Sequence, residues 1–298
     1  MLPRLPLTLG LGLALSACGP SVALSPPAAQ AARVSARSAC RTIDDPKDPS
    51  SNTLNGISNG GEIAGNSMLH GYVIEPPYRK RDFRYLSYPG ARFTGLSAVN
   101  DRREVVGYYI GHRDEVFAFL DEDGQWTSYK GKWKITEFLD ISDTGAIVGF
   151  YGDRHDVDHP FELGKGKRIR PPGAVGAVAS GINHRGDVVG SLTTSKGLTK
   201  TFLRKGGTYL EFAYPGSTET EAWGISDREE IVGSYVDAAG ATHGFLLSDP
   251  AKNPLWQSFD EPDASGTTVI GGIDADDEIV GHYIDAAGTS HGFFCTYP

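Results

Sequence analysis

The feature that most constrains this chain is a pair of apolar residues followed by glycine, returning at a near-constant interval. It stands at Ile63-Ala64-Gly65, Val105-Val106-Gly107, Ile147-Val148-Gly149, Val188-Val189-Gly190, Ile231-Val232-Gly233 and Ile279-Val280-Gly281. Successive glycines are 42, 42, 41, 43 and 48 residues apart. A second marker comes ten residues after every glycine but the first. It reads Phe117-Ala118-Phe119, His159-Pro160-Phe161, Lys200-Thr201-Phe202, His243-Gly244-Phe245 and His291-Gly292-Phe293. The first copy is shortened, with His70-Gly71-Tyr72 close behind Gly65. An internal period of about 40–45 residues made of short strands is the mark of blades set around an axis.

Each unit reads as four strands. The first is small and apolar, as in Ala222-Trp223-Gly224-Ile225. A polar turn such as Ser226-Asp227-Arg228-Glu229 follows, where short polar side chains bond nearby backbone. The second strand, Glu230 to Val236, is β-branched and aromatic, and Asp237-Ala238-Ala239-Gly240 is a hairpin signal. The third carries the second marker, and the fourth is exemplified by Trp126 to Tyr129 and Tyr209 to Phe212. Pro89-Gly90, Pro172-Gly173 and Pro215-Gly216 open the longer links to the next unit, where proline marks a sheet edge. The expectation is an all-β, six-bladed β-propeller of four-stranded antiparallel blades over residues 39–298.

The ends of the chain suggest how the ring closes. Residues 39–46 match a fourth strand, as in Trp256 to Pro262, while the chain stops after a third strand at residues 291–298. An N-terminal outer strand should therefore complete the last blade, leaving fewer exposed edges. In that alignment Cys40 and Cys295 become cross-strand neighbours. They form either a disulfide or a pair of buried free thiols, and export to an oxidising compartment favours the disulfide.

The pattern Gly-Ile-(Ser/Asn)-Asp-x-x-x-Ile-Val-Gly-x-Tyr-x-Asp-x-x-Gly-x-x-His-Gly-Phe, read from Gly224 to Phe245 and again from Gly272 to Phe293 with Ala275 in place of Asp227 and His282 in place of Ser234, resembles the bacterial extracellular repeats called the HAF family. The similarity runs over about residues 40–298. It is strongest in the last two copies; Phe117 and Lys200 stand where the family has His. The resemblance implies fold and export and no particular activity.

Residues 1–17 read as a targeting segment, with Arg4 its one charge and an apolar run from Leu5 to Leu15 too short to span a bilayer. The run ends in Leu15-Ser16-Ala17-Cys18, which looks like a lipobox. Cys18 would carry the lipid; the alternative is an ordinary signal peptide with a chance Cys. Residues 18–38 are rich in Ala, Ser and Pro and read as a flexible tether. These features place the protein in the cell envelope or on the outer membrane, lipid-anchored and facing the periplasm or the exterior. The net charge of −9 argues against nucleic acid as a partner.

The repeated His70, His159, His243 and His291 read as structural, bonding polar turn residues of the Ser226 or Asp274 type. Departures from the repeat are better ligand-binding candidates. These are His112 and Arg113 in the second unit, and Asp153, Arg154, His155 and Asp156 in the third, all replacing the bland Asp-Ala-Ala-Gly hairpin. Asp153, His155 and Asp156 have the donor types for a cation, but a solvated charged loop accounts for them, and neither a metal nor another cofactor is expected. Glu219, Glu221, Asp260, Glu261 and Asp263 are placed on crossovers of the same face. The reading is a non-catalytic binding or scaffold module for protein or glycan, with no catalytic residue assigned. The alternative is a carbohydrate-active hydrolase or lyase with an axial site, which needs two acids across a cleft. Cys18→Ser is expected to move the protein from the membrane pellet to the soluble fraction; retention in the pellet would count against the lipobox.

Overall fold

The computed structural model describes residues 32–33, 39–131, 135–164 and 168–296. The targeting segment, Cys18 and all of the expected tether except Ala32 and Arg33 lie outside the described residues. In chain order, β1 (Ala32–Arg33) and β2 (Ala39–Thr42) precede the repeats. The first repeat is β3 (Asn52–Ile57), β4 (Ile63–Ser67), β5 (Gly71–Ile74) and β6 (Phe83–Leu86). The second is β7 (Phe93–Val99), β8 (Glu104–Ile110), β9 (Val116–Glu122) and β10 (Gln125–Tyr129). The third is β11 (Thr136–Ile141), β12 (Ile147–Gly152) and β13 (Asp158–Glu162). The fourth is β14 (Ala174–Ile182), β15 (Val188–Thr194), β16 (Thr199–Lys205) and β17 (Thr208–Phe212). The fifth is β18 (Glu219–Ile225), β19 (Ile231–Val236), β20 (Thr242–Ser248) and β21 (Leu255–Phe259). The last is β22 (Thr268–Ile273), β23 (Glu278–Ile284) and β24 (Ser290–Thr296). No helix occurs among the described residues.

The hydrogen bonding departs from six separate four-stranded sheets. It makes five, of which three have four strands, one has three and one has nine. The nine-stranded sheet joins the fourth and fifth repeats through a single parallel bridge, Thr199 to Glu219, and takes β1 on the outer edge beside β21. In the third repeat one isolated bridge, Phe161 to Arg168, stands where a fourth strand would run. The first strands of the repeats lie beside one another in the order β3, β7, β11, β14, β18, β22, and β22 returns to β3. Glu219 and Glu221 belong to β18 and not to a crossover as the sequence suggested.

The repeating glycine has a direct physical cause. Gly65, Gly107, Gly149, Gly190, Gly233 and Gly281 each lie opposite the aromatic residue of the second marker, from Tyr72 to Phe293. A Cβ at any of them would run into the carbonyl oxygen of the first strand, such as that of Glu221 for Gly233. At Gly190 and Gly281 it would also meet the facing ring of Phe202 or Phe293. Tyr72, Phe119, Phe202, Phe245 and Phe293 are fully buried as a result. Each such side chain contributes about 1.5–3 kcal/mol of burial free energy. A step further along, every first strand slips register by one residue, at Asn55, Ser97, Leu139, Ser180, Trp223 and Gly271. Such bulges bend a strand and turn its side chains.

The core is divided among the interfaces. Six apolar clusters each combine two consecutive repeats. One of them sets Leu54, Ile63 and Tyr72 of the first repeat against Val280 and Phe294 of the last. The ends of the chain meet in this seam. β2 pairs antiparallel with β24, with Cys40 opposite Cys295, and the two are joined by a disulfide across 255 residues. Loop entropy for so long a closure amounts to about 5 kcal/mol as an upper figure. Peptide mapping without reductant is expected to recover Cys40 linked to Cys295. Cys295→Ser is expected to lower unfolding free energy by about 2–5 kcal/mol in chemical denaturation; an unchanged midpoint would show that the clasp does not hold the ring.

Candidate functional site

At one end of the ring, each first strand turns into the second through a buried polar residue: Ser58, Asn100, Ser142, Asn183, Ser226 and Asp274. Its side-chain oxygen accepts the backbone N–H four residues on, as from Glu104 to Asn100 Oδ1 at 3.0 Å and from Glu278 to Asp274 Oδ1 at 2.9 Å. This local bond is the reason Ser, Asn and Asp alternate there. The turns are also stitched to their neighbours. Gly60 N donates to Asp101 Oδ1 at 2.7 Å, Asp101 N to Asp143 Oδ1 at 3.0 Å, and Ala275 N to Asn59 Oδ1 at 2.9 Å. These turns rim an axial cavity of about 70 Å³ lined by the slipped residues Asn55, Leu139, Ser180 and Trp223 and by Asp140. At about 30 Å³ per water, that space suits a couple of waters and not a sugar ring.

At the other end lie the second-to-third hairpins. Here the repeated His residues bond acids of the hairpins and of the chain just beyond strand four, and not the Ser226 or Asp274 type of turn. His243 donates to Asp260 Oδ1 at 2.6 Å and reaches Asp237 Oδ2 at 3.4 Å. His291 does the same with Asp44 at 2.7 Å and Asp285 at 3.4 Å. His159 bonds Asp153 and His70 bonds Asp45, each at 3.0 Å. The hairpin Asp also accepts backbone N–H groups within its own turn, as Asp237 does from Ala239 and Ala241. Lys200, in the His position of the fourth repeat, pairs instead with Glu211 at 3.6 Å.

The ligand-binding candidates from the sequence fall on this end, in two separate hairpins. Asp153 accepts the backbone N–H groups of His155 and Val157 as well as His159. Asp156 takes the left-handed position of the turn at φ 58°, where Gly240 and Gly288 stand in later repeats. Arg154 Nε donates to His155 Nε2 at 2.8 Å. In the second repeat His112 and Arg113 are exposed, and their neighbour Asp114 pairs with Arg92 of the crossover. Asp153 and Asp156 thus have turn-forming roles that account for their identity. Among the described residues no group of three or more His, Cys, Asp or Glu is placed to hold a metal.

A site that sequence reasoning missed lies at the seam, on the end that carries the polar turns. A groove of about 590 Å³ is lined by Arg41, residues 59–61, Pro76, Pro77, Tyr78, Asp274, Asp276, Glu278, Phe294 and Thr296. One wall is the loop 75–82 between β5 and β6, eight residues where the second and fourth repeats use two. It carries the cis bond between Pro76 and Pro77, and Tyr78 at φ 60°. The Tyr78 hydroxyl donates to Gly61 O at 2.8 Å. Arg41 stacks 4.4 Å over the Tyr78 ring and donates to Pro77 O at 3.3 Å. The opposite wall is the last polar turn, 274–278. Two signals in the sequence pointed here: the inserted Pro-Pro-Tyr, and Asp276 where other turns carry Arg102, Arg185 and Arg228.

These geometries define an all-β propeller. Among solved structures the chain is similar to a gluconolactonase from Xanthomonas campestris, with TM-score 0.52 and 12% identity over 88% of this chain and 90% of that one. It is also similar to the lectin of Aleuria aurantia, described as a six-bladed β-propeller with a novel fucose recognition mode. That match has TM-score 0.46 and 9% identity over 83% of this chain and 91% of that one. At such identities the likeness is one of fold. No protein-family model and no curated protein sequence matches the chain.

Several acids are displaced by their surroundings. Burial pushes Glu137, Asp140 and Asp274 up to about 7 and Asp158 to about 6. His291 is raised, chiefly by its bond to Asp44. Asp153 falls to about 2, chiefly through its bond to His159, and Asp237 is lowered chiefly by the N–H of Ala241. The raised groups favour the folded state below their unfolded values and lose that contribution as pH climbs through about 6–7. The lowered acids contribute above about 4 and lose it as pH falls further. The buried His282, lowered to about 4, works the other way between about pH 4 and 6.5, but the four raised acids outweigh it. The unfolding temperature is therefore expected to be highest near pH 4, to fall as pH rises to about 7 and to level off above that. Glu137→Gln should flatten the alkaline side; a steady rise from pH 5 to 8 would contradict the assignment.

Proposed function

We propose that this protein is a lipid-anchored, extracytoplasmic six-bladed propeller of the HAF-repeat kind that binds a protein or glycan and catalyses nothing. The count of six takes the nine-stranded sheet as two repeats sharing one bridge and the three-stranded sheet as one repeat. The lipobox-like run at Cys18 supports anchoring. The Cys40–Cys295 disulfide supports an oxidising compartment.

The observation that carries the binding reading is the groove at the seam. Its volume of about 590 Å³ is within the range of ligand sites, and it combines aromatic and apolar surface with a few fixed charges. The alternative, a hydrolase or lyase working at the axis, has only the cavity of about 70 Å³ between well-bonded turns. The test uses the full chain in detergent with its disulfide formed. Immobilised glycans and defined envelope proteins are screened for saturable binding, and sugar lactones and glycosides are assayed for turnover. A partner held at micromolar Kd or tighter, without turnover, is the expected result. Hydrolysis of a lactone or glycoside would replace this reading with the enzymatic one.

A further inference from the structure

The last polar turn differs in charge from the second and fourth. In the second and fourth repeats the acid that ends the turn is neutralised from within it. Glu104 pairs with Arg102 at 2.6 Å and Asp187 with Arg185 at 3.5 Å. In the first repeat Glu62 pairs with Arg103 at 3.2 Å, and in the fifth Glu230 accepts from Ser248 at 3.1 Å. In the last turn the arginine position is Asp276, and neither Asp276 nor Glu278 has an ion-pair partner among the described residues. The buried Asp274 lines the same groove. Its Oδ1 holds the turn by accepting from the backbone N–H groups of Asp276 and Glu278. Two carboxylates, Asp276 and Glu278, thus face the cavity without an ion pair, and Arg41 is the cation in its lining.

The wall opposite is apolar, made of Pro76, Pro77 and the edge of Tyr78. Arg41, on β2, lines the same groove but makes no ion pair with these acids among the described residues. There it is stacked on Tyr78, with Phe294 5.3 Å away, and retains N–H donors beyond the one given to Pro77. The groove therefore runs from an acidic end near the axis, along an apolar wall, to a donor at the rim.

We infer that this groove binds an extended polypeptide through a Lys or Arg side chain. The cationic head meets Asp276 and Glu278, the aliphatic stem lies along Pro76, Pro77 and Tyr78, and a backbone carbonyl takes the spare donors of Arg41. Long basic side chains suit this arrangement because they bury the stem while the head stays polar. Charge complementarity of this kind sets which partner is accepted more than how tightly it is held. The inference rests on the binding reading above and specifies its ligand.

The test is calorimetric titration of the full chain in detergent with acetylated, amidated hexapeptides. These carry two Arg, two Lys or two Gln among glycines, and glucosamine oligomers form a separate arm. Saturable binding of the Arg and Lys peptides, absent for Gln and weakened by salt, is expected. Asp276→Asn with Glu278→Gln should weaken it at least tenfold, and Tyr78→Ala several-fold, whereas Asp123→Asn on a distant turn should change nothing. Disulfide content and unfolding temperature confirm that each variant is folded. Peptide binding that survives the double substitution, or no peptide binding at all, overturns the inference. Glucosamine oligomers bound in place of peptides overturn it too, while leaving the wider binding function intact. A chain that captures no partner of any kind in either experiment sinks both.

Discussion

A bare glycine beneath an aromatic ring is the contact on which the ring of repeats depends. In every repeat the second strand carries no side chain at that point, so the first strand's carbonyl lies against it on one side. Opposite it stands Tyr72 in the first repeat and Phe in the other five. The space that a methyl group would need is occupied by backbone, which cannot yield as a side chain can. Overpacking at such a position typically costs about 1–3 kcal/mol. Because the same spacing is enforced six times, the repeats share one thickness, and each can bury its apolar face against the next.

Closure adds what the individual repeat lacks. Among the described residues the last repeat contributes three strands; β2 supplies the fourth, and the Cys40–Cys295 disulfide holds it there. Arg41 follows one cysteine and Phe294 precedes the other, so the covalent clasp also positions two residues of the groove. A ring of like units would offer like surfaces at every interface. The seam differs because the loop 75–82 is long and the turn 274–278 has lost its arginine. Structural repetition and functional individuality are thus separated in space.

The polar residues show the same division. Ser58, Asn100, Ser142, Asn183, Ser226 and Asp274 give their acceptors to the turn that follows them. His243 and His291 are each held between two aspartates. A histidine already bonded at both ring nitrogens has no free nitrogen for a metal or a substrate. Repetition of a chemically versatile side chain marks here a load placed on the backbone, and the groups left over for a ligand are those that break the pattern.

The repeat, the strand order within it, the N-terminal strand that completes the last unit and the pairing of Cys40 with Cys295 were all legible in the sequence. They are consequences of period, turn chemistry and alignment, which are local and recur. The merging of the fourth and fifth repeats was not legible, because the bridge between Thr199 and Glu219 depends on how two finished units tilt together. The partners of the histidines were misplaced for a related reason: which end of a blade a turn occupies is settled only when the strands are stacked. The groove was hidden most fully. Arg41, Tyr78 and Glu278 are scattered along the chain, and nothing in their local context brings them together. Only the closing of the ring sets the first repeat beside the last, and with it an apolar loop opposite an acidic turn.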